Sequence, residues 1–248
     1  MSTMQALDRM VRLVRDAVLD VVTDDEIIGR FQRTRVRCIA DEANVASAAG
    51  QSALVTLVSL IARMGVQVAI DVPDVEILGS QPPLRGTRLR SALIEFGDDL
   101  VPGTSVTFDR EAMGDLTFAF GDTPAPPRAK GWRVSGAAWA GAITPLPCLG
   151  QRWEGAWSVG AMTAAATAAP EVFKAAVTSL PLRHPIWVET LAPCASAGWD
   201  FAVESLSIPS GPLPVDIISA GAITQAALGC RSSLPGGCSM PMWRSCQT

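Results

Sequence analysis

Histidine and tyrosine are almost missing: the 248 residues include one histidine, His184, and no tyrosine. A site built from several imidazoles is excluded, and any Ser-His-Asp triad would rest on that one residue. The six cysteines contain no C-x-x-C pair of the zinc-knuckle or thioredoxin kind. Cys38 sits in an apolar run and reads as a buried, reduced thiol. No stretch reaches the roughly 18 uncharged apolar residues of a membrane span. The opening STMQALDRMVRLVRD mixes acids and bases and has no signal-peptide apolar region. A net charge of −4 gives no bulk attraction for nucleic acid. Charged residues are only 18% of the chain and hydrophobic ones 48%, which excludes a disordered chain. The expectation is a soluble, cytoplasmic protein with neither nucleic acid nor membrane as partner.

What is present has periodicity. Met4, Leu7, Val11, Val14, Val18 and Val21 recur at spacings of three and four, the stripe of an N-terminal helix. Residues 1–34 are expected to hold that helix and a linker. RVRCIAD (Arg35–Asp41) then alternates like a strand. EANVASAAGQ reads as a small-residue turn, and SALVTLVSLIARMG as a helix stopped at Gly65. VQVAID is a second strand, ending in Asp71. Arg85–Gly97 suits a helix, TSVTFD and LTFAFGD suit strands, and TPAPPRAK is a proline-rich loop. WRVSGAAWA reads as a further strand, and Val159–Leu180 as an alanine-rich helix that Pro170 should kink or divide. The alternation predicts an α/β fold: a Rossmann-like, mostly parallel sheet with flanking helices, plus the N-terminal helix.

Two small-residue turns invite a nucleotide reading, because small residues let backbone amides approach a phosphate at a helix N-terminus. The first is S-A-A-G-Q-S, with Gly50. The second is S-A-G-A-I-T, with Gly221, inside VDIISAGAITQAALGC. A ligand-free tight turn explains either equally well. Asp71 stands where a carboxylate accepts a ribose diol, or else caps a turn. Arg85 and Asp122 are expected at strand-exit loops, suited to a phosphate and to Mg²⁺ respectively, or else to plain surface charge.

Three stretches together resemble the ThiF/MoeB-type adenylyltransferases, which include the ubiquitin-activating enzymes. They are VQVAIDVPDVEILG with the acidic pair Asp71 and Asp74, LTFAFGD with Asp122, and VGAMTAAATAAPEVFKAAV with Glu171, Phe173 and Lys174. The resemblance implies ATP and Mg²⁺ as cofactors and a ubiquitin-like or sulfur-carrier protein as partner. Gly50, Asp71, Arg85 and Gly221 would be nucleotide-binding and Asp122 metal-binding, with no catalytic residue assigned; Cys148 is the one thiol worth testing. On this reading residues 35–190 form a degenerate, non-catalytic unit that packs against an active adenylation unit in a homo- or hetero-oligomer. Residues 191–230 hold a linker and the start of a truncated second unit, and residues 231–248 an irregular tail. An active adenylating enzyme and an NAD(P)-binding Rossmann oxidoreductase are the alternatives.

Overall fold

A computed structural model of the chain describes residues 3–201. The expected second unit with Gly221, and the tail, lie outside the described residues. The chain opens with α1 (Thr3–Arg15), whose stripe buries Leu7, Val11 and Val14. Next comes α2 (Asp24–Arg33), which sequence reading did not single out. Its start is a capping box: the Thr23 hydroxyl accepts the Glu26 N–H, and the Glu26 carboxylate accepts the Thr23 N–H.

The remaining elements are β1 (Arg35–Ile39), α3 (Glu42–Val45), α4 (Ala48–Ala62), β2 (Gln67–Asp71), α5 (Leu89–Leu100), β3 (Val106–Phe108), β4 (Leu116–Phe120), β5 (Gly131–Gly136), β6 (Ala140–Pro145), α6 (Val159–Val177), α7 (Pro185–Thr190) and β7 (Ala197–Asp200). They build one seven-stranded sheet in the order β3-β2-β1-β4-β5-β6-β7. The pairings among β1 to β5 are parallel, and those of β6 with β5 and β7 are antiparallel. This is the expected mostly parallel α/β sheet with flanking helices and an N-terminal helix.

Three local expectations need correction. The stretch Ala48–Gln51 is not a turn: it is the first turn of α4, with Ser47 as N-cap accepting the Gly50 N–H. WRVSGAAWA is a strand only as far as Gly136, the end of β5; it then turns and enters β6 at Ala140. Pro170 lies inside a continuous α6. The carbonyl it cannot pair with is that of Ala166, and both residues are exposed, so water can reach that group.

The two faces of the sheet are covered differently. Val36, Cys38, Phe118, Phe120, Trp132 and Val134 enter one large core with α1, α2, α4, α5 and α6. Burial pushes the Cys38 thiol up to about 12, so it is an inert core group. On the opposite face Ile39, Ala119 and Leu146 form a small separate cluster, covered by Ala125 and Ala129. A doubly wound sheet normally carries helices on both faces. Here neither the β3–β4 connection (109–115) nor the β4–β5 connection (121–130) contains a helix. Pro124, Pro126 and Pro127 in the second remove three backbone donors, which rules out a helix there.

Candidate functional site

Open α/β sheets bind ligands outside the carboxyl ends of the strands, where the strand order reverses. In this sheet that place lies between β1 and β4. The protein's own side chains fill it. The Asp41 N–H donates to the Thr123 hydroxyl (3.1 Å), tying the two strand ends together. The fully buried Asn44 amide donates to Asp41 Oδ1 (2.9 Å), Asp122 Oδ1 (2.7 Å) and Thr123 Oγ1 (3.1 Å). Its oxygen accepts the Trp153 N–H at 3.1 Å. Gly121, at φ +57°, leaves the space that Asn44 occupies: a Cβ there would lie 1.7 Å from Asn44 Oδ1. The segment after β6 lies over the crevice, with Trp153 buried and Arg152 outside it.

Each sequence-predicted residue has a definite place in this arrangement. Gly50 is buried in α4, where a Cβ would stand 1.8 Å from the Asn44 carbonyl oxygen. Asp71 is held by Arg37 Nη2 (2.9 Å) and Arg110 Nε (3.7 Å). Its neighbour in the expected acidic pair, Asp74, accepts the N–H groups of Arg90 and Ser91 and so caps the start of α5. Arg85 is exposed in the β2–α5 connection, away from the crevice group. Asp122 takes both Arg152, at 2.8 Å, and the Asn44 amide. Glu171 is a buried tether, accepting Lys174 Nζ (2.7 Å) and the Cys194 N–H (2.9 Å). Phe173 rests against Phe31, with ring centroids 5.7 Å apart. Cys148 is exposed, and its carbonyl accepts from Arg133.

The hydrogen bond from Arg152, aided by that from Asn44, holds the Asp122 carboxyl below its ordinary value of 3.8 against a smaller desolvation effect. A depressed folded value means the pair stabilises the fold above pH 3.8 and stops doing so as pH falls through the lowered value. The urea midpoints of the wild type and Asp122→Asn are therefore expected to differ near neutral pH and to converge in acid. A gap of constant size across that range would show that the Asp122 charge is irrelevant.

The helix-free face carries an open cleft. A cleft of about 430 Å³ lies between the two helix-free connections. Arg37, Thr117, Met113 and Asp115 line one side, and Pro126, Pro127, Arg128 and Lys130 the other. Arg37 donates through Nη2 to Asp71 and to the Arg110 carbonyl (2.6 Å), while its buried Nε has no partner among the described residues. Arg128 is the one non-glycine at positive φ (63°) among the described residues. Sequence reading missed Arg37, Arg128 and Lys130. The available signal was the proline run that excludes a helix over 121–130.

A sheet of this order, wound with helices on one face, defines a Rossmann-like α/β domain. The family model for the BilD N-terminal domain matches residues 35–182, so the chain belongs to that family. Among solved structures it is similar to selenomethionine PaaA, with a TM-score of 0.54 and 11% identity over 81% of this chain and 71% of that one. That likeness shows the fold alone. No curated protein matches.

Membership of the BilD N-terminal domain family corrects the resemblance drawn from sequence, since neither match carries the name of the ThiF/MoeB-type adenylyltransferases. Adenylation, ATP, Mg²⁺, the ubiquitin-like or sulfur-carrier partner and the companion adenylation unit rested on that resemblance and fall with it. The reading as a degenerate unit followed by a truncated one falls too, and the NAD(P) oxidoreductase alternative gains nothing. The geometry supplies physical reasons. The expected phosphate turn is helix packed on Asn44, and Asp122 already has an arginine partner. Among the described residues no group of three or more His, Cys, Asp or Glu side chains is placed to hold a metal ion. Among the same residues no helix is long and apolar enough to cross a membrane.

Proposed function

We propose that this domain is a ligand-binding module that works through the helix-free face of its sheet rather than through the strand-end crevice. One observation carries the reading: the crevice is occupied by Asn44 and Trp153, while the cleft between residues 112–115 and 126–130 is open. Its volume falls within the roughly 300–1,000 Å³ of small-molecule sites. Backbone-amide shift mapping with small organic acids and amides tests it. Shifts grouped at Ala112–Asp115 and Arg128–Lys130 support the reading. Shifts grouped at Asp41–Ser47, with the cleft silent, would overturn it.

We further propose a cytoplasmic location. Among the described residues Cys38, Cys148 and Cys194 form no disulfide, which is compatible with a reducing compartment. Thiol trapping in intact cells that found Cys148 or Cys194 disulfide-bonded would count against this location.

A further inference from the structure

Resting on that reading of the cleft, we propose that its ligand is a small organic oxyanion: one carboxylate or phosphate group on a compact apolar body. The first support is charge. Arg37, Arg128 and Lys130 line the cleft against a single carboxylate, Asp115. That carboxylate already accepts the Arg35 N–H at 2.9 Å. The excess is local, because the chain as a whole carries −4. Among the described residues Arg128 and Lys130 have no side-chain hydrogen-bond or ion-pair partner. Two unpaired cations beside a concave surface attract an anion before contact and hold it afterwards.

The second support is the Arg37 guanidinium. One nitrogen is committed to Asp71 and the Arg110 carbonyl, yet the buried Nε has no partner among the described residues. A buried donor left unpaired is costly, and this one belongs to a side chain that lines the cleft. The third is the backbone at Arg128. A long side chain at φ 63° is uncommon, and such outliers concentrate at ligand sites. The wall also carries apolar side chains: Met113, which is 85% exposed, with Pro126 and Pro127. An apolar body finds contact there while its anionic group faces the cations.

Calorimetric titration of the full chain with phenyl phosphate, benzoate and neutral benzamide, read together with amide shifts, tests the inference. Phenyl phosphate or benzoate is expected to bind and to move the cleft amides, and the stronger of the two names the oxyanion. Arg128→Asn, which tolerates the positive φ, and Lys130→Gln should each weaken binding about tenfold, and Arg85→Ala should leave it unchanged. Equal binding of benzamide and the acids would overturn the anion inference and leave the cleft reading standing. Anion binding that both variants leave unchanged would also overturn it. Silence of the cleft amides toward all three compounds would remove both.

Discussion

Trp153→Ala is expected to lower the unfolding free energy by about 3–5 kcal/mol, the range for removing a large buried aromatic side chain. Trp153 is 1% exposed and is among the largest fully buried side chains. Its indole N–H donates to the Val134 carbonyl in β5 at 3.2 Å. Its backbone N–H goes to Asn44, and its carbonyl accepts the Ser47 hydroxyl at 3.0 Å. The one residue thus joins the segment after β6 to β5, to α3 and to the N-cap of α4. Truncation leaves a cavity and removes one of the two donors to the Val134 carbonyl, which keeps the Gly121 N–H at 2.8 Å, and it loosens the cover of the crevice. Trp153→Phe keeps most of the volume but loses the indole donor, so it should recover part of the loss. Urea denaturation followed by far-ultraviolet circular dichroism reads both. A cost below about 1 kcal/mol for alanine would mean that the segment peels away without consequence, and the crevice would then count as open.

The sheet was legible because its determinants are local. Alternation in RVRCIAD and VQVAID marks strands directly, and the apolar spacing after Ser52 marks a helix. The hairpin at β5–β6 was not legible. Its turn has no Asn-Gly or Asp-Gly signal, and small apolar residues run through it. Pro170 does not divide α6; it sits on the exposed side of the helix, where water can reach the freed carbonyl, and exposure is a tertiary property.

The site was harder to read, because its residues meet only in the folded chain. Asn44 and Trp153 are 109 positions apart, and Arg37 and Asp71 are 34 apart. In sequence Asp71 is a strand-end acid of the kind that accepts a ribose. In the fold it anchors Arg37 and Arg110. Asp122 has the same history with Arg152. Sequence reading placed acids at strand ends correctly but could not see the arginines that neutralise them. The helix-free face lies between these cases. The prolines of TPAPPRAK show that no helix connects β4 to β5, and the cleft follows once the sheet order is known.

Gly50→Ala separates two explanations of a glycine at the start of α4. Helix propensity alone favours the change by about 1 kcal/mol. Gly50 has no positive φ, so alanine is conformationally acceptable. If the glycine existed only to admit a phosphate, the ligand-free protein would become slightly more stable. Packing predicts the opposite. The added Cβ would stand 1.8 Å from the Asn44 carbonyl oxygen and 3.1 Å from Trp153 Cβ. The first of these is backbone and cannot rotate away. α3 would have to move off α4, carrying the Asn44 bonds to Asp41, Asp122 and Thr123 with it. We therefore expect a loss of about 3 kcal/mol, at the upper end of ordinary overpacking costs. A urea midpoint equal to or above that of the wild type would show that α3 yields easily, and that the crevice opens without cost to the fold.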